Sequence, residues 1–142
     1  MRIQILAVGK LKGPGYRELA DEYLKRLTRY TQCEERELLR ERALESALPN
    51  SGRIVALTVD GKALTSLTLA RQLQTWSDDG GGRLCFVIGG ATGLSDAVLR
   101  RVHAQLSLSS LTLPHRLARV VLLEQLYRAF TIMRGEPYAR ED

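Results

Sequence analysis

The residues with the clearest chemical potential are five in a row, Gly89-Gly90-Ala91-Thr92-Gly93. They follow the apolar run Leu84 to Ile88 and precede Ser95, a helix-capping residue type. Ligands of open α/β sheets bind at that edge, where backbone amides are free and helix N-termini add positive potential. Glycine also lets a ligand approach the main chain closely. A tight turn without a ligand is the ordinary alternative. The spacing is GGxxG and not GxGxxG, and no GxxxxGK[ST] occurs, so the dinucleotide and NTP fingerprints both fail.

Side-chain catalysis has few candidates. There is no GxSxG and no HExxH. Cys85 lies inside an apolar strand, where an inert core thiol is expected. His103 falls in a predicted helix, whereas His115 follows Pro114 at a helix start. Glu124 interrupts the most apolar helix of the chain, and a buried carboxylate is costly unless it is paired or used. Arg128, one turn on at the i+4 spacing, offers an ion pair, and that reading outweighs a catalytic base.

The elements that must position these groups alternate. Residues 2 to 8 form an apolar run ending at Gly9, a predicted buried strand. Tyr16, Leu19, Ala20, Tyr23, Leu24, Leu27 and Tyr30 draw an apolar stripe down a helix. Residues 33 to 39 are a weaker strand candidate, and residues 40 to 52 read as polar connection with a turn at Pro49-Asn50-Ser51-Gly52. Ile54 to Val59 is a strand closed by Asp60-Gly61. Ser66 is expected to cap a helix running to about Ser77, and Ser95 one running to about Gln105. After the serine-rich segment Leu106 to Leu113, Pro114 opens the longest helix, to about Met133. The tail leaves that helix at Gly135 and cannot resume it past Pro137. Alternating strands and helices predict one α/β domain over residues 1–142 with a mostly parallel sheet. Apolar residues cover most of the last helix's circumference, which predicts either a central core helix or a subunit interface.

Composition narrows the class further. Of 142 residues, 44% are hydrophobic and 26% charged, so a disordered chain is excluded. Two cysteines, far apart and without metal-ligand spacing, exclude a disulfide framework and a zinc finger and fit a reducing cytoplasm. No apolar run approaches the ~20 residues of a membrane span. The formal net charge is +5, and no acidic residue lies between Asp96 and Glu124, a stretch holding Arg100, Arg101, Arg116, Arg119 and both histidines. That asymmetry favours an RNA- or phosphate-facing surface as strongly as a merely solvated basic face.

The run from Leu106 to Phe130, with Leu-Pro-His-Arg-Leu-Ala-Arg at its centre, is followed by Arg-Gly-Glu-Pro-Tyr at 134 to 138. It closely resembles the RlmH family, bacterial large-subunit ribosomal RNA pseudouridine N3-methyltransferases of the SPOUT superfamily. The opening Ile-Leu-Ala-Val-Gly-Lys-Leu-Lys and the loop Phe-Val-Ile-Gly-Gly-Ala-Thr-Gly-Leu are similar to the same family, so the resemblance spans essentially the whole chain.

The resemblance implies a trefoil-knotted α/β fold with helices on both faces of the sheet, acting as a homodimer in the cytoplasm without metal. It implies S-adenosylmethionine as cofactor, held by Leu57, Gly89, Leu108, Ser109, Ser110, Leu111, Thr112 and Leu113. The substrate it implies is a pseudouridine of 23S ribosomal RNA in the large subunit, methylated on the assembled ribosome. On this basis Tyr138 is expected to close on the target base, Glu124 to orient an arginine or accept the proton, and Arg119, Arg134 and Arg140 to contact phosphate. Two rivals are an RNA-binding protein without turnover and a SPOUT methyltransferase acting on transfer RNA. The chain departs from the family pattern at Ala139, where a His is common, and in a shortened connection at residues 40 to 53, which implies a trimmed peripheral helix.

Overall fold

In the computed structural model, residues 1–141 are described, the last two by their backbone only. Five strands pair in the order β2-β1-β4-β3-β5, every pair parallel. They are β1 (Arg2–Val8), β2 (Gln32–Leu38), β3 (Arg53–Ala63), β4 (Arg83–Ile88) and β5 (Ala104–Ser107). Helices α1 (Tyr16–Leu27), α2 (Glu41–Ala47), α3 (Ser66–Asp79), α4 (Asp96–Leu99) and α5 (His115–Met133) alternate with them, and a 3-10 turn, Pro137–Glu141, ends the chain.

The period-2 alternation of the strands builds two cores. Ile3, Ile5, Leu84 and Phe86 point to the face covered by α1, α3 and α5. Leu6, Ile54, Cys85 and Val87 point to the opposite face, beneath α2 and α4 with Leu44 and Val98. Both faces of β4 are therefore closed, which is why its sequence reads as an unbroken apolar run. Helix α5 is a core helix: α1 and α3 flank it, and Leu122, Leu123, Leu126 and Phe130 are buried within this one chain. Its wide apolar surface is thus largely accounted for without a second subunit.

Four local expectations need correction. The polar connection at 40 to 52 contains α2, a seven-residue helix anchored by buried Leu44, which the residue pattern hid and which agrees with the trimmed peripheral helix implied by the resemblance. Strand β3 does not stop at Asp60-Gly61. It bulges between Leu57 and Lys62, both of which pair with Leu106, and then resumes. Gly61 sits where a Cβ would lie 2.7 Å from the Leu106 carbonyl carbon, so only glycine lets the returning strand close on β5. The cap of α3 is Thr65, whose hydroxyl accepts from the Thr68 amide, rather than Ser66. Ser95 does cap α4, but that helix ends at Leu99, and residues 104–107 form the edge strand β5 instead of its last turn. His103 is accordingly in a loop, where its Nδ1 accepts from the Ile54 amide while its own amide donates to the Ile54 carbonyl. This ring extends the ladder at the start of β3.

Candidate functional site

At the carboxyl ends of β4, β3 and β5 lies a cavity of about 490 Å³. Three segments distant in sequence enclose it: the β3 bulge (Leu57 to Asp60), the glycine loop (Gly89 to Leu94) and the chain from Gln105 to Leu113, with His115 and Ala118 from the first turn of α5. Strand order brings them together, since β3 lies between β4 and β5. The glycine loop is folded tightly on itself. Gly93 donates its amide to the Gly90 carbonyl, and a Cβ on Gly89 would lie 2.6 Å from the Gly93 carbonyl carbon. The Gly89 position therefore excludes any side chain through the loop's own backbone. Glu41 supports the loop from below, accepting the Ser95 amide at 2.8 Å.

Of the residues expected to hold a cofactor, Leu57, Gly89, Leu108, Ser109, Leu111 and Leu113 line this cavity, whereas Ser110 and Thr112 do not. The serines shape the loop. Ser107 Oγ donates to the Ser109 carbonyl, and Ser109 Oγ accepts the Leu111 amide. Sequence reading missed the bulge residues Thr58 to Asp60. Their signal was the Asp60-Gly61 pair, which marked a strand end rather than an excursion.

The remaining expected residues lie elsewhere. Tyr138 and Glu124 are together, but neither lines the cavity. The Tyr138 hydroxyl donates to Glu124 Oε1 at 3.0 Å and lies 3.2 Å from the Tyr23 hydroxyl, so the Tyr23 proton serves that second bond. Glu124 also receives Arg128, in an ion pair of 2.7 Å, and Gln125, whose amide oxygen accepts from Ser66 of α3. A polar chain thus crosses α5 from α1 to α3 and ties the tail to it, with the Tyr138 ring edge-on to Tyr127 at 4.7 Å. Burial, then the bonds to Tyr23 and Glu124, push the Tyr138 phenol well above its ordinary range. Arg134 is exposed, its guanidinium over the Tyr30 ring. The Arg140 side chain lies outside the described residues.

Arg119 corrects an expectation outright. Its side chain is 2% exposed, too deep to reach an RNA phosphate. It donates to the Gly9 carbonyl at 2.9 Å and bridges Glu35 at 3.2 Å and Glu37 at 2.6 Å on β2. Arg17 of α1 closes the same network on Glu35 at 2.7 Å. Burial of Glu37 favours its neutral form, but hydrogen bonds from Arg119 and the Leu11 amide outweigh this and hold the carboxyl below its ordinary range. Cys85 is an inert thiol, pushed up to about 12 by burial. Among the described residues no cluster of His, Cys, Asp and Glu could hold a metal, and no helix is long and apolar enough to cross a membrane.

A parallel α/β sheet with a glycine-bounded, leucine-lined cavity at its carboxyl edge is the architecture in which α/β proteins seat small ligands. Comparison with known proteins narrows this to a family. Residues 1–139 match the family described as "Predicted SPOUT methyltransferase". A protein of Sorangium cellulosum (strain So ce56) named ribosomal RNA large subunit methyltransferase H is 44% identical over 144 residues, spanning 98% of this chain and 99% of the relative. A protein of the same name from Bacillus pumilus (strain SAFR-032) is 41% identical, spanning 97% and 99%. Among solved structures, a probable methylase family protein from Haemophilus influenzae Rd KW20 superposes with a TM-score of 0.64 at 14% identity, over 96% of this chain and 69% of that one. A probable methyltransferase from Bordetella pertussis Tohama I does so with a TM-score of 0.59 at 15% identity, over 90% and 95%. The chain belongs to the SPOUT methyltransferase family.

Proposed function

We propose that this protein transfers a methyl group from S-adenosylmethionine to N3 of a pseudouridine in large-subunit ribosomal RNA. The observation that carries this reading is the near-complete overlap, at 39–44% identity, with relatives named ribosomal RNA large subunit methyltransferase H. The same reading includes the family's knotted path for the chain around the cavity, and a cytoplasmic site of action, where ribosomes are. The cavity fits the cofactor chemically. Its volume is in the range of small-molecule sites, Leu57, Leu106, Leu108 and Leu113 give apolar walls for an adenine, and Asp60 supplies a carboxylate suited to a cationic ligand.

S-adenosylmethionine, when bound, supplies a methyl group on a sulfonium that already is a leaving group. The protein's own work is alignment and proton handling. Loops 89–94 and 107–113 fix the donor's position and restrict water. The N3 imide proton is acidic enough for a modest base to remove it. Tyr138 and Glu124 remain the proposed groups at the acceptor base, with Arg134 and Arg140, which flank Tyr138 in the sequence, on phosphate. Neither Tyr138 nor Glu124 lines the cavity of its own chain, and in this reading the protein acts as a homodimer in which a second copy brings its tail to each pocket.

Two experiments test this. Mass spectrometry of ribosomal RNA from a deletion strain should show loss of one 3-methylpseudouridine, restored by the wild-type gene; an unchanged modification pattern refutes the activity. Co-expression of Gly89→Val with a chain lacking residues 136–142, each inactive alone, should restore partial activity through mixed dimers. No recovery refutes the shared site.

A further inference from the structure

The loop between β1 and α1 (Gly9 to Gly15) has no role in the cavity, yet it is pinned with unusual care. Gly9 donates its amide to the Leu38 carbonyl at 2.6 Å, and its carbonyl accepts Arg119. The Leu11 amide donates at 2.7 Å to Glu37, the same carboxylate that Arg119 bridges. Leu11 is buried, at 5% exposure, so Lys10 and Lys12 on either side of it are turned outward, and both are exposed. Across the loop the Arg116 guanidinium lies against Gly13, 3.4 Å from where a side chain there would begin. Lys10, Lys12 and Arg116 have no carboxylate partner among the described residues. Of the acids around the loop, Glu35 and Glu37 are engaged by Arg17 and Arg119, and Asp21 by Arg17, while Glu18 in the first turn of α1 is exposed.

This cationic group stands beside the donor cavity. Val8, which precedes the loop, is 3.4 Å from the Cβ position of Gly90 on the cavity wall, and Arg116 follows His115 on the same wall. We propose that Arg119, through Gly9 and Glu37, holds the β1–α1 loop so that Lys10, Lys12 and Arg116 form a rim that binds the RNA phosphate backbone next to the methyl-donor pocket. The inference rests on the RNA-methylating reading above and assigns that reaction a polyanion-binding surface and a positioning residue. A buried arginine joining the carbonyl of the first loop residue to the carboxylate that caps the third fixes the loop at both ends of the Lys10 peptide. Three cations held at set spacing lose less freedom on meeting phosphates than three on a free loop. Each phosphate neutralised releases counterions, so the rim should be visible in the salt dependence of binding.

The test is binding to purified large ribosomal subunits across a salt series, with steady-state methylation in parallel. The triple variant Lys10→Ala/Lys12→Ala/Arg116→Ala should lower the slope of log K against log salt by about 2–3, since each contact contributes about 0.7–0.9. KM for subunits should rise about tenfold or more, with kcat and S-adenosylmethionine affinity held within about twofold. Arg119→Gln should reproduce much of the slope change, add little when combined with the triple variant, and be partly rescued by Arg119→Lys. If Arg119→Gln does not fold, Glu37→Gln, which weakens the same link, takes its place. An unchanged slope and KM in the triple variant overturns the rim. A folded Arg119 or Glu37 variant that loses stability but keeps the wild-type slope overturns the positioning role. If the wild type binds subunits through the rim yet methylates nothing, the rim stands and the enzymatic reading falls. If the wild type binds no subunits at all, both fall.

Discussion

Replacing Tyr138 by Phe removes one oxygen and tests whether the tail is fastened to the body of the protein. That oxygen donates to Glu124 at 3.0 Å and accepts from Tyr23 at 3.2 Å. A hydrogen bond to a charged acceptor contributes about 1.5–3 kcal/mol and a neutral one about 1 kcal/mol. The full sum overstates the loss, because Glu124 keeps Arg128 and Gln125 and its side chain is 18% exposed, so water reaches the vacated position. A destabilisation of about 1–2 kcal/mol remains. With an unfolding entropy of about 2.1 cal/mol/K per residue, roughly 0.3 kcal/mol/K for a chain of this size, Tm should fall by about 3–7 °C. The variant Glu124→Gln, measured alone and with Tyr138→Phe, completes a double-mutant cycle whose coupling should be about 1 kcal/mol. Thermal unfolding by circular dichroism reads all four proteins. A Tyr138→Phe protein melting within about 1 °C of wild type, with no coupling to Glu124, would show that the tail is not docked on α1 and α5, and the polar chain across α5 would lose its terminal link.

Gly89→Val should leave the far-ultraviolet circular dichroism near wild type and cut S-adenosylmethionine affinity at least about tenfold by calorimetry, because the new Cβ meets the Gly93 backbone and forces the cavity loop to move; unchanged affinity would place the pocket elsewhere. Leu123→Ala, at a site 1% exposed between α5 and the sheet, should cost about 2–5 kcal/mol in urea unfolding, and a loss under about 1 kcal/mol would contradict the central placement of α5. Tyr30 is pushed up to about 12 by burial and then by the bond it donates to Glu136. Its phenol ionises later in the folded than in the unfolded chain (about pH 10), so its contribution to stability is whole below about pH 10 and lost between there and about pH 12. Tyr30→Phe should therefore flatten the alkaline fall in stability, measured as urea midpoints at about pH 9 and pH 11.

The elements that were legible in the sequence are those whose pattern is set by a single neighbour or by full burial. The α1 stripe faces α5 and the sheet, β4 is covered on both sides, and α5 buries Val120, Leu122, Leu123, Leu126 and Phe130 in the core it shares with α1, α3 and the strands. The short elements were hidden. A seven-residue helix such as α2 gives fewer than two turns of pattern, with Leu44 its one buried residue. Strand β5 is four residues at the sheet edge, paired on one side, and it follows a genuine cap at Ser95 that made a longer helix the natural expectation. Glu124 was half legible. Its i+4 partner Arg128 could be read from spacing, but the bond to Tyr138 depends on a turn at Gly135 (φ 67°) that reverses the tail onto α5.

Arg119 shows why charge alone misassigns a surface. In the sequence it is one of four arginines in a stretch without acids, and the natural inference is an outward, phosphate-seeking group. Its carboxylates come from β2, more than 80 positions earlier, and reach it only because β2 pairs with β1 while α5 packs over both. Burying this guanidinium is tolerable only because the two carboxylates and a backbone carbonyl receive it, an arrangement no local window can show. The same topology assembles the cavity. Residues 57–60, 89–94 and 105–113 share one edge because all five strands run the same way and β3 stands between β4 and β5. A parallel sheet sends every strand end to one side, where loops with little shape of their own can become walls. The chemistry this chain offers is therefore in the order of its strands as much as in its residues, and a methyl donor that brings its own leaving group asks no more of those walls than shape and position.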